Sequence, residues 1–259
     1  MTEVPPGPAA RPAGRAGESP ALVTPDPATP LLPPIEPDDR SGYLHRLFIG
    51  TLGFLLPLLL WTIAAFRPID RAARWRLLDS ISAYYYSGAV AVFVGTLAAL
   101  TVFFYTYRGY DNASGWRDRL AASVAGTAAF LVALFPTSAA TPAAAPPWWT
   151  TGTGVIHYGA AVVLFASFAF FALVLFPMSK VEPGETLPDD KKWRNRIYRT
   201  CGVAMLACIG WALVAHAAGA PIFWPESLAL EAFAVSWLVK GRADVSIVRL
   251  ARRLAGGGT

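Results

Sequence analysis

Residues 154–176, GVIHYGAAVVLFASFAFFALVLF, decide the fold. These positions carry no Asp, Glu, Lys or Arg. A helix needs about 20 such residues to cross the roughly 30 Å of hydrocarbon in a bilayer. Barrel strands would alternate apolar and polar over ten residues, and this stretch does not. Backbone polar groups must be satisfied within the segment when lipid surrounds it, so the stretch reads as a spanning helix.

Five more apolar stretches flank it, at residues 47–66, 87–107, 120–137, 200–219 and 225–239. The last is short and needs residues 221–224, or a thinned bilayer, to complete a crossing. The expected fold class is therefore all-α, a polytopic membrane bundle of six transmembrane helices at residues 41–245. Composition agrees. The chain is 54% hydrophobic and 15% charged, whereas a soluble domain carries about a quarter charged residues.

Outside the bundle, the expected organisation is a disordered tail at 1–40 and a basic tail at 246–259. Eleven of the 22 prolines precede residue 38, and Ala, Gly and Thr fill most of the remainder. Such a composition cannot bury enough apolar surface to offset chain entropy. The tail also lacks the apolar core of a secretory signal.

Orientation follows from Lys and Arg. From Arg40 onward, alternate loops and the C-terminal end collect sixteen of them, among them Arg40, Arg46, Arg117, Lys191, Arg194, Lys240 and Arg242. The opposite side holds four, Arg67, Arg71, Arg74 and Arg76. Positive charge gathers on the cytoplasmic side. The expected location is the cell (inner) membrane, with both termini cytoplasmic. The net charge of +5 then reflects cytoplasmic loops rather than nucleic acid. Five cations between Lys191 and Arg199 would attract anionic lipid at the cytoplasmic face by about 1 kcal/mol each. Trp148, Trp149 and Trp224 fall at the outer interface, where indole rings favour headgroups.

Ser87, Ala91, Gly95 and Ala99 form an every-fourth stripe of small residues, and Ala121, Ala125 and Ala129 form another. Such stripes allow close helix approach in lipid, and the first leaves a homo-oligomer open. Pro57 should kink the first helix. Cys201 and Cys208, about 10 Å apart along a helix, are too distant for a disulfide.

Polar groups inside a membrane are costly, so each is a site hypothesis. Glu231 lies deepest and is expected to face the bundle interior, with Ser227 one turn before it. His157, His216 and Glu226 fall at one outer depth, joined by Asp79, Ser82 and the run Tyr84-Tyr85-Tyr86. Together they form a candidate outward-facing polar pocket. His157 and His216, with Asp79 or Glu226, are also the candidate metal ligands, since imidazole and carboxylate suit zinc. The bland alternatives are a helix-dipole role for Glu226 and interfacial roles for the histidines. If residues 68–82 are helical, Arg67, Arg71 and Arg74 share a face that could grip headgroup phosphate or an anionic ligand. Pairing with Asp70 and Asp79 is the alternative.

The stretches Ser80-Ile81-Ser82-Ala83-Tyr84-Tyr85-Tyr86, Ala133-Leu134-Phe135-Pro136-Thr137, Arg194-Asn195-Arg196-Ile197-Tyr198-Arg199 and Ser236-Trp237-Leu238-Val239-Lys240-Gly241 together resemble a widespread group of bacterial six-helix membrane proteins without an assigned activity. That resemblance implies the fold and no catalytic residue. A weaker likeness is to the alkaline ceramidase and progestin-receptor-like membrane hydrolases, which place a serine and histidine early in one helix and two histidines in the last. Here Ser82 is followed by tyrosines, and the last helix lacks histidine. Three functional classes remain: a protein binding or moving a small molecule or lipid, a metal-dependent lipid hydrolase, and a structural subunit. No cofactor is named by these residues.

Overall fold

The computed structural model describes residues 37–69, 71–107, 115–139, 145–178 and 189–242. The N-terminal tail as far as residue 36, the tail 246–259 and Asp70 lie outside the described residues. Among the described residues the chain is all-α, with six long helices and no strand.

The helices are α1 (Pro37–Phe66), α2 (Val90–Thr106), α3 (Gly115–Leu134), α4 (Thr151–Phe170), α5 (Asp189–Ala217) and α6 (Phe223–Lys240). Each covers one of the six apolar stretches, with ends shifted by several residues. The largest shifts are at charged ends. Helix α1 begins inside the stretch 1–40 expected to be disordered, because a proline is suited to the first helical turn. Helix α5 begins eleven residues before its apolar stretch, with acidic Asp189 and Asp190 in the first turn, where the helix dipole favours negative charge. Among the described residues, three segments are long and apolar enough to cross a membrane: Gly42–Phe66, Thr151–Leu175 and Asp189–Ala217.

The six helices close a ring in chain order, α1 against α2 and so on to α6, which packs back on α1. Glycines permit the α1–α6 approach. A methyl group at Gly50 would sit 2.8 Å from the Leu238 side chain, and one at Gly53 would sit 2.8 Å from the Phe233 ring. Inside the ring lies a fully buried aromatic core of Phe104, Phe168, Phe171, Phe233 and Trp237. Phe168 stacks on Phe233 with centroids 3.7 Å apart.

The stripe at Ala125 and Ala129 is buried as expected. The stripe on α2 is not: Ala91 and Gly95 are exposed, and a methyl group at Gly95 would meet nothing within 4 Å. Helix α2 packs instead through Phe93, Leu97, Leu100 and Phe104, whose larger apolar area outweighs close approach. Pro57 lies within α1 without ending it.

One end of the ring carries Tyr84–Tyr86 and the described residues 136–139 and 145–150, and is called the tyrosine end. The other carries Lys191 and Lys240 and is called the lysine end. Residues 68–82 do not form the helix that would align the arginines. Among its described residues the segment holds a 3-10 turn at Arg71–Ala73, with a second 3-10 helix at Ser82–Tyr86. Trp75 adopts φ 68°, a left-handed conformation no α-helix accommodates.

Candidate functional site

Toward the tyrosine end, residues of α4, α5 and α6 line a partly open cavity of about 220 Å³. Its walls are mostly apolar: Ala161, Val162 and Phe165 from α4, Cys208, Ile209 and Ala212 from α5, Pro225 and Ala229 from α6. Three polar side chains join them, Tyr158, His216 and Glu226. The Tyr158 ring lies 5.2 Å from the His216 ring, centroid to centroid.

Glu226 stands in the first turn of α6, where the helix dipole favours a carboxylate. Its Oε2 accepts the Ile81 backbone N–H at 2.6 Å. Four residues earlier, the Ile222 N–H donates to the Asp79 carbonyl at 2.6 Å. The connection before Ser82–Tyr86 is thereby clamped to the start of α6. Asp79 thus reaches the site through its backbone, while its side chain is exposed. Ser82 is buried inside the 3-10 helix.

His157 is not part of this cavity. It is 0% exposed, and its Nδ1–H donates to the Phe135 carbonyl at 2.6 Å. The reason lies in α3. It ends at Leu134, Pro136 prevents it from continuing, and the carbonyls just beyond its end have no helical partner. Three successive carbonyls are taken by side chains: Phe135 by His157, Pro136 by the Trp149 indole at 3.2 Å, and Thr137 by the Tyr86 hydroxyl at 2.6 Å. The Thr137 hydroxyl then donates to Tyr158 Oη at 2.9 Å. His157 is a helix-end fastener, and Tyr158 links that network to the cavity. Burial pushes the Tyr84 and Tyr86 phenols above their ordinary value.

Glu231 does not face the interior either. It is half-buried, beside the exposed Trp224, Leu228 and Val235. The interior side of α6 is filled by Leu230, Phe233, Ala234 and Trp237, which leaves no volume for a carboxylate. Ser227, one turn before Glu231, is buried.

No group of three His, Cys, Asp or Glu that could hold a metal forms among the described residues. The ring nitrogen of His157 that faces Phe135 is occupied, and His216 is exposed.

All four arginines at this end are exposed. Arg74 Nε donates to the Ala65 carbonyl at 3.0 Å, and its guanidinium lies 5.8 Å from the Trp75 ring centroid. Arg76 borders a second cavity, about 190 Å³, with Pro68, Trp75 and Tyr86. Among the described residues none of the four pairs with Asp79.

The lysine end was not legible in the sequence, where its charges read only as loop charges. Lys240, Asp118, Asn195 and Tyr198 are buried there. The π-helical turn at Phe171–Leu175 is followed by carbonyls that cations collect: Lys191 Nζ donates to Phe176 O at 3.0 Å and Met178 O at 3.2 Å. Lys240 Nζ lies 3.5 Å from Phe176 O and 5.1 Å from the Phe176 ring centroid. Asp118 attracts this ammonium, while Lys191, Arg46 and Arg194 repel it. The one sequence signal was a lysine closing the apolar run that follows Glu231 in α6.

Comparison with protein families, characterised proteins and solved structures finds no match to this chain.

Proposed function

We propose that the chain is an integral membrane protein crossing the bilayer six times, with both termini cytoplasmic, and that it binds or moves an amphipathic small molecule or lipid through the cavity between α4, α5 and α6. The membrane reading is supported by three sufficiently long apolar helices and by exposed Phe48, Leu58, Val155, Val162, Val203 and Val214 along helix surfaces. Water would make such surfaces costly, and hydrocarbon would not. The positive-inside rule then sets the lysine end in the cytoplasm and the tyrosine end outside.

The observation that carries the binding reading is Glu226 and His216 at one otherwise apolar cavity. Ligand sites pair apolar walls with a few fixed polar groups. A chain or ring fits against Ala161, Phe165 and Ala229, and a hydrogen-bonding head fits toward Glu226 and His216. The exposed cations Lys192, Arg196 and Arg199 hold the cytoplasmic face to anionic lipid in this reading. The hydrolase reading lacks a set of three ligands among the described residues. The fastening bond from Ile81 to Glu226 favours the structural-subunit reading equally well.

Native mass spectrometry of protein released from membranes separates the two. Filling the cavity with Ala161→Trp should strip a co-purifying small molecule or lipid from an otherwise intact protein. Unchanged adducts in a folded variant would leave the structural reading.

A further inference from the structure

Helix α6 presents an outward stripe whose spacing is that of a helix-pairing seam. Trp224, Leu228 and Val235 are 58%, 47% and 38% exposed, and half-buried Glu231 sits in the same stripe. The steps between them are four, three and four residues, the a/d spacing of two helices wound around each other. Glu231 is the midpoint of an 18-residue helix, about 12 Å from either end at 1.5 Å per residue. Among the described residues, no hydrogen bond or ion pair involves its carboxyl. Carboxyl groups within membrane segments almost always face a partner or a water-filled cavity, and polar groups at this depth hold helices together.

We infer that this stripe is a docking surface for a second copy of the chain, with the two Glu231 carboxyls facing each other across a two-fold axis. The inference rests on the six-crossing reading above. All copies inserted in one membrane share one orientation, so a two-fold contact along the membrane normal brings identical residues to identical depth. The partner of α6 in such a contact is α6 running parallel. A carboxyl group can both donate and accept when a proton is shared, so the second Glu231 supplies the complement the first one lacks. A single polar position in an apolar seam also fixes register and copy number. Leu228 and Val235, on either side, give the apolar flanks that exclude lipid from the pair.

The test is disulfide crosslinking of the full-length chain in native membranes, in a Cys201→Ala, Cys208→Ala background. Leu228→Cys and Val235→Cys should each yield a covalent dimer. Val203→Cys on α5, at a position 61% exposed, should yield about tenfold less. Glu231→Gln keeps a donor and an acceptor and should preserve the dimer, whereas Glu231→Leu should reduce crosslinking about tenfold, the scale of one interhelical hydrogen bond. Crosslinking at Leu228→Cys no stronger than at Val203→Cys overturns the inference. So does undiminished crosslinking in Glu231→Leu, or a product joined to a different polypeptide. Alkaline washing of the same membranes distinguishes the failures: a chain that washes off refutes the six crossings too, and a chain that stays without crosslinking refutes only the docking.

Discussion

The Glu226 carboxylate accepts the Ile81 backbone N–H at 2.6 Å, across 145 residues of sequence. One side chain on the last helix thus holds the connection that precedes α2, and it also borders the cavity between α4, α5 and α6. Fold and site share an atom pair here, so substitutions at Glu226 report on both.

Removing the acceptor strands a half-buried backbone donor, at a cost of about 1–3 kcal/mol. Glu226→Ala should lower the unfolding midpoint in detergent. Glu226→Gln retains a carbonyl oxygen and should recover most of the loss while still weakening ligand retention. Differential scanning fluorimetry beside native mass spectrometry reads the two effects separately. Equal stability of the Glu226→Ala variant and the unsubstituted chain would mean the bond contributes nothing.

His157 caps the end of α3. His157→Leu leaves the Phe135 carbonyl without its donor and should destabilise by about 1–3 kcal/mol. His157→Asn places an amide donor near the Nδ1 position and should be milder. Neither should alter occupancy of the cavity, from which His157 is absent. Selective loss of ligand in a stable His157→Asn protein would contradict the fastener role.

Close approach between α1 and α6 predicts a contrast among glycines. Gly53→Val adds atoms where even one methyl carbon meets the Phe233 ring at 2.8 Å. Overpacking of this kind costs about 1–3 kcal/mol. Gly95→Ala, which meets nothing within 4 Å, should be neutral or stabilising by up to about 1 kcal/mol through helix propensity. Unfolding midpoints in one detergent rank the two.

At the lysine end, Lys191→Met removes the donor to the Phe176 and Met178 carbonyls. Loss of a charged hydrogen bond costs about 1.5–3 kcal/mol. Hydrogen exchange should quicken in the segment following the π-helical turn, and remain unchanged at the tyrosine end. Faster exchange at both ends alike would show that the turn is held by packing rather than by Lys191.

Helix number and order were legible in the sequence, because apolar length is a local property of consecutive residues. So was the general location of a polar cluster, since His216 and Glu226 fall at one depth whenever α5 and α6 run antiparallel. Which residues enter the cavity was not. His157 and His216 have the same residue type and depth, yet one caps Phe135 and the other borders the cavity. Rotation of each helix about its axis decides that, and rotation depends on what every neighbouring helix fills. Glu231 is the clearest instance: Phe233 and Trp237 occupy the interior and turn the carboxyl outward. The small stripe on α2 failed likewise, since Phe93 and Phe104 offered more area to bury than Ala91 and Gly95.

Chain composition and apolar run length by themselves determined six helices, their boundaries to within several residues except at charged ends, and the asymmetry of charge between the two ends. Tertiary structure alone decided that the ring closes through α6 on α1, that Ile81 meets Glu226, and that Lys240 is buried among aromatic rings. The physical reason is range. Solvent preference is summed residue by residue along the chain, whereas the direction of a side chain is fixed by volumes and hydrogen-bond partners supplied from distant segments.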